Sequence, residues 1–165
     1  MRDATRILVP TDFSRSSELA LEYANGLAYR FGASLHLLHV VNRPLLVEGL
    51  AAEAYMSEAP AIGSDMVRDA EGRLRDLAPD AASTDVVFGY AAKAIVDCAS
   101  RLGVDLIVMG SHGRTGIAHL MLGSVAEAVV RSAPCPVLTV RHRVANRPVL
   151  REDDAPRDMS RESRA

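Results

Sequence analysis

The sequence predicts an α/β domain: one five-stranded parallel sheet with helices on both faces. Three observations carry this. Short apolar, β-branched runs recur along the chain, they alternate with segments of helical period, and the runs are apolar almost continuously, as strands covered on both faces must be. At 165 residues there is material for one domain with a substantial core and not for a second of similar size.

Residues 5–10 read as the first strand, stopped by Pro10, with Thr11 and Asp12 on the turn beyond. Ser14 or Ser16 can cap the following helix, in which Leu21, Ala24, Leu27, Ala28 and Phe31 recur at helical spacing before Gly32 closes it. Residues 35–41 form the second strand. Residues 42–64 mix Pro, Gly, Ala and Glu and read as a long flexible loop, a lid or a partner-facing segment. A helix is predicted over 65–77, a third strand over 85–89, a helix over 91–102 closed by Gly103, and a fourth strand over 104–109. Residues 123–132 form the last helix and 136–141 the last strand. The domain spans 1–142. Residues 143–165 are charged, lack apolar periodicity and read as a disordered tail.

Composition excludes several functions. Net charge is −2, from 19 basic and 21 acidic residues dispersed along the chain, which leaves no footprint for nucleic acid or an anionic membrane. No apolar run reaches membrane-spanning length, and the start of the chain does not read as a signal peptide, so a cytoplasmic protein is expected. Cys98 and Cys135 have no CxxC partner and read as buried thiols. His36 and His39 lie an odd number of residues apart on one strand and make a poor metal pair.

The most informative segment follows the fourth strand: Gly110-Ser111-His112-Gly113-Arg114, then, after nine residues beyond Gly113, Gly123-Ser124-Val125-Ala126-Glu127. Glycines at the carboxyl end of a parallel strand let the backbone approach a ligand, and successive amides there or at the next helix start bind anions. A nucleotide is the leading ligand. If the first and fourth strands are neighbours, Pro10-Thr11-Asp12 and the glycine loop meet in one crevice. Ser124 to Glu127 also matches a capping box, and Asp12 also suits an Asx turn.

These landmarks resemble the universal stress protein family, in its ATP-binding branch. The likeness covers about residues 5–141: Ile-Leu-Val-Pro-Thr-Asp at the start, Leu-Leu-His-Val-Val in the second strand, Asp-Leu-Ile-Val-Met-Gly-Ser-His-Gly, and Ala-Pro-Cys-Pro-Val-Leu-Thr-Val at the end. Gly110, Gly113, Gly123 and Ser124 satisfy the family's nucleotide pattern without a gap. The resemblance implies strand order 3-2-1-4-5 and ATP with Mg2+ or Mn2+ as ligands. It implies a nucleotide site of Pro10, Thr11, Asp12, Val40, Met109, Gly110, His112, Gly113, Arg114, Gly123, Ser124 and Val125. Asp12 would lie near the ribose or the metal, Val40 against adenine, and Met109 would form an apolar wall, although Val40 also suits the core and a methionine at a strand end is more often core. His112 and Arg114 could reach phosphate oxygens or stay on the surface. The last strand, 137–140, would pair with its twin in a homodimer. The implied role is a nucleotide-responsive regulator with an unidentified protein partner. No P-loop, nucleophile elbow or metalloprotease helix is present, so at most weak ATP hydrolysis is expected. A slow ATPase or phosphate-transferring enzyme, and a nucleotide-independent dimeric module, remain the alternatives.

Overall fold

The computed structural model describes residues 5–42, 50–112 and 122–141. The chain runs β1 (Arg6–Thr11), α1 (Arg15–Phe31), β2 (Ser34–Asn42), α2 (Leu50–Leu77), β3 (Ser83–Gly89), α3 (Ala91–Leu102), β4 (Leu106–Gly110), α4 (Ser124–Ser132), β5 (Val137–Val140). All strand pairs are parallel, in the order β3-β2-β1-β4-β5. Fold class and strand order are as the sequence and the resemblance imply.

Alternation of side chains along the strands divides the core into two layers. Ile7, Val9, Leu37 and Val108 point to one face and pack with Ala20, Leu21 and Ala24 of α1 and Leu74 of α2. Leu8, Leu38, Ile107 and Met109 point to the other and pack with Ile95, Cys98 and Ala99 of α3 and Ala126 and Val129 of α4. The near-continuous apolarity of β1 follows, since a strand covered on both faces has no side left for water.

Helix ends are largely as predicted. Ser14 caps α1, its side chain accepting from the Ser17 amide, while Gly32 and Gly103 end α1 and α3 in the left-handed conformation. The segment 42–64 requires correction. The helix expected from residue 65 begins at Leu50, so residues 50–64 are helical and not a loop. The mixture of Pro, Gly, Ala and Glu reads as a loop, but Ala, Glu, Leu and Met dominate residues 50–59, and their helix propensity carries the helix through the single amide that Pro60 withholds. Residues 43–49 and the tail 143–165 lie outside the described residues.

The start of the sheet is fastened by Asp105, the first residue of the Asp-Leu-Ile-Val-Met-Gly run, to which the sequence assigned no role. The Asp105 carboxylate accepts from the Thr5 amide (2.9 Å), the Thr5 hydroxyl (2.9 Å) and the Arg6 amide (3.0 Å). It thereby ties the turn before β4 to the beginning of β1. These donors, the Thr5 amide foremost, hold its pKa below the ordinary 3.8. A depressed carboxylate contributes stability above its unfolded value that is lost as pH falls through the folded one. Asp105→Asn should therefore lower stability at neutral pH and flatten the acid side of the profile below about pH 4, as chemical denaturation at a series of pH values would measure.

Candidate functional site

Strand order reverses between β1 and β4: the chain proceeds outward from β1 through β2 and β3, and from β4 through β5, on opposite sides of the sheet. The carboxyl ends of β1 and β4 therefore splay apart, and a crevice of about 560 Å3 opens above them. Of the twelve residues expected at the site, Pro10, Thr11, Asp12, Val40, Met109, Gly110, His112, Gly123, Ser124 and Val125 all line it. Gly113 and Arg114 fall outside the described residues.

On the β1 side the turn is built from short polar side chains. The Thr11 hydroxyl donates to Ser17 Oγ and accepts from the Phe13 amide, each at 3.0 Å. Asp12 Oδ1 accepts from the Ser14 amide at 3.0 Å, the Asx turn expected after Pro10. Burial works against the charge on Asp12, but hydrogen bonds led by those from Ser14 outweigh it and hold the pKa below its usual value. Asp12 is thus an ionised carboxylate at neutral pH, facing the crevice.

On the β4 side the ends of the glycine segment are stitched together. The Ser111 amide donates to the Val140 carbonyl and the Gly123 amide to the Ser111 carbonyl, both at 2.8 Å. The start of α4 is thereby placed beside the end of β4, whatever path the chain takes between. The two described glycines serve packing as much as approach to a ligand. A Cβ at Gly110 would stand 2.9 Å from Ser16 Cβ and 3.0 Å from its carbonyl carbon, so α1 crosses β4 only because no side chain is there. At Gly123 a Cβ would meet the Ser111 carbonyl oxygen at 3.2 Å.

The capping box at Ser124 does not form. Gly123 is the N-cap and offers no side chain, and Ser124 is the first helical residue. Glu127 pairs instead with Arg131 at 2.7 Å, one helical turn on. The pattern that matched is displaced by one position because Gly123, tied to Ser111, already has the extended backbone that a cap requires (φ −62°, ψ 151°). The Glu127 amide donates to the Gly123 carbonyl, the first bond of the helix. The amides of Ser124, Val125 and Ala126 precede it and have no acceptor within the helix. All three residues line the crevice.

Beside them, His112 Nδ1 lies 3.0 Å from Ser111 Oγ, while its Nε2 is buried with no hydrogen-bond partner. A buried orphan of this kind costs free energy unless something else meets it. The apolar lining comes from the layer shared by α3 and α4: Leu38, Val40 and Met109 at the strand ends and Ile95 of α3. Ser17, Met66, Ala91 and Ile95 also line the crevice and were not anticipated. Met66 belongs to α2, while Ala91 and Ile95 come from a helix start that carries no motif. His36 and His39 face opposite layers, the first bonded to Ser83 and the second to the Thr11 carbonyl. Cys98 and Cys135 are free thiols against the α3 layer, and burial raises the pKa of both. Among the described residues no helix is long and apolar enough to cross a membrane.

Residues 4–141 match the model of the universal stress protein family. The chain belongs to this family. Universal stress protein MJ0531 of Methanocaldococcus jannaschii is 34% identical over 139 residues, 82% of this chain and 81% of the relative. The solved structure of MJ0577 from the same organism, itself a universal stress protein, superposes with a TM-score of 0.74 at 28% identity, covering 86% of this chain and 99% of that one. Another solved universal stress protein, determined in complex with cAMP, has a TM-score of 0.54 at 26% identity over 85% of this chain and 98% of its own.

If the Gly110 position is a packing requirement, Gly110→Ala should cost about 1–3 kcal/mol of stability, the usual penalty for overpacking. Thermal denaturation with and without candidate ligands would show the same loss in both conditions.

Proposed function

We propose that this universal stress protein binds ATP with a divalent cation and acts as a cytosolic, nucleotide-responsive regulator. One observation carries the reading: the uncapped first-turn amides of α4 open onto the same crevice as an ionised carboxylate and a set of apolar strand ends. Each part suits one portion of such a ligand. The amides, with the helix dipole behind them, suit phosphate oxygens, and the orphan Nε2 of His112 can donate to another. Val40, Met109 and Ile95 suit the faces of a base.

Asp12 suits the cation. Among the described residues no group of three or more His, Cys, Asp or Glu side chains could hold a metal by itself. Mg2+ needs no such cage, since it is commonly held by one or two carboxylates together with the phosphates it accompanies. The bound cation would supply charge neutralisation between Asp12 and the phosphates.

Assembly is proposed through the edge of the sheet. Among the described residues strand β5 pairs with β4 alone, and Leu138 on it is 38% exposed. Its free edge suits antiparallel pairing with a second copy, which closes as a homodimer.

The test is to purify the protein without added nucleotide, identify any small molecule released on denaturation, and titrate Mg·ATP by calorimetry. Absence of both a released nucleotide and a binding isotherm would end this reading. Ser124→Pro compared with Ser124→Ala, which removes the hydroxyl alone, isolates the amide contribution. Proline is favoured at the first helical position, and Gly123 already has the extended backbone that must precede it. Helicity should persist while affinity falls about 10- to 100-fold, the weight of one hydrogen bond to a charged group. Asp12→Asn keeps an acceptor for the Ser14 amide but removes the charge. It should abolish the dependence of binding on Mg2+ and leave metal-free nucleotide binding equal or tighter.

A further inference from the structure

Phe13 has a φ of 61°, the only positive φ at a non-glycine residue among those described. The left-handed region is costly for a bulky side chain and persists only where surrounding contacts enforce it. Three contacts do so here. The Phe13 amide donates to Thr11 Oγ1 at 3.0 Å. Its ring lies 4.6 Å from that of the buried His39, centroid to centroid, at an interplanar angle of 37°. The guanidinium carbon of Arg73 stands 3.8 Å from the ring centroid.

Arg73 is the one arginine set over an aromatic ring among the described residues. It makes no ion pair among them, so the ring face is its contact. It adjoins Leu74, which is fully buried and fixes this part of α2 on the β1 layer. The guanidinium therefore reaches Phe13 from a rigid element. Directly before Phe13 is Asp12, whose Oδ1 accepts from the Ser14 amide across the strained residue. Relaxing Phe13 to a negative φ would swing Asp12 and Ser14 apart.

We infer that Arg73 is a positioning residue: acting through the Phe13 ring, it holds the 11–14 turn so that Asp12 faces the crevice. The consequence for ligand affinity rests on the nucleotide reading above, while the consequence for the turn does not.

Amide hydrogen exchange on the full chain without ligand tests the turn, and Mg·ATP titration tests the consequence. In Arg73→Leu the Phe13 and Ser14 amides should exchange roughly two- to fivefold faster, the weight of one exposed cation–π contact, with the amides of Leu8 and Leu37 unchanged. Mg·ATP affinity should fall by a similar factor, and Arg73→Lys should restore most of both. In a Phe13→Gly background, where glycine adopts positive φ without strain, Arg73→Leu should change neither. Unaltered Phe13 and Ser14 exchange in Arg73→Leu, acceleration spread equally over the core amides, or an undiminished effect in the Phe13→Gly background would each overturn the inference. So would faster turn exchange with full Mg·ATP affinity. Failure of the wild type to bind Mg·ATP would instead remove the nucleotide reading and leave the exchange data to decide the role of Arg73.

Discussion

Strand β1 is hydrogen-bonded along both edges, to β2 and to β4, and every residue from Ile7 to Thr11 is buried. A parallel strand with both edges occupied forces the chain to leave it over one face of the sheet and to enter its other neighbour from elsewhere. That places α1 and α2 on one layer and α3 and α4 on the other. It also leaves a gap at the carboxyl ends of β1 and β4 that no helix among the described residues covers. The crevice is a topological consequence of the central strand, and the residues just past β1 and β4 line it because of where they fall in the chain.

The same constraint explains why a glycine stands at the end of β4. Helix α1 leaves β1 and passes over its neighbour closely enough that Ser16 occupies the space of a side chain at Gly110. A glycine in a phosphate-loop pattern can therefore be required by helix packing on one side while the backbone beyond it serves a ligand on the other. Gly123 likewise serves closure, bonding to Ser111 and presenting the first turn of α4.

Most of the fold was legible in the sequence because its signals are local. Apolar runs, cap residues and Gly32 and Gly103 each act within a few residues, and strand order followed from landmarks that resemble a family. What escaped was long-range or displaced. The first half of α2 reads as a loop from its mixture of Pro, Gly, Ala and Glu, because composition counts the breakers without showing that the helix formers around them prevail. The cap at Ser124 was misplaced by one residue because the S-x-x-E pattern is satisfied without regard to what holds Gly123. Asp105 stands in a landmark run, but its donors come from residues about 100 positions away, and Arg73 meets Phe13 across two elements, so neither role has a local signature. Most of the candidate site was found from its loops. Ser124 and Val125 of α4 were found with them, whereas Ser17, Met66, Ala91 and Ile95 of the other three helices were not.

The electrostatics of the crevice set a condition on any anionic ligand. Helix α4 presents amides and a positive dipole end, whereas Asp12, kept ionised by its hydrogen bonds, presents a negative charge to the same space. A phosphate drawn to the amides would be repelled by the carboxylate, more strongly as water is excluded and the local dielectric falls. Discarding the charge by protonating Asp12 is opposed by the Ser14 and Ser17 donors that favour the ionised form. A cation between carboxylate and phosphate removes the conflict and turns the repulsion into a requirement for the pair. On that argument nucleotide and metal enter the site as one ligand, and the turn that aims Asp12 matters as much as the helix that receives the phosphates.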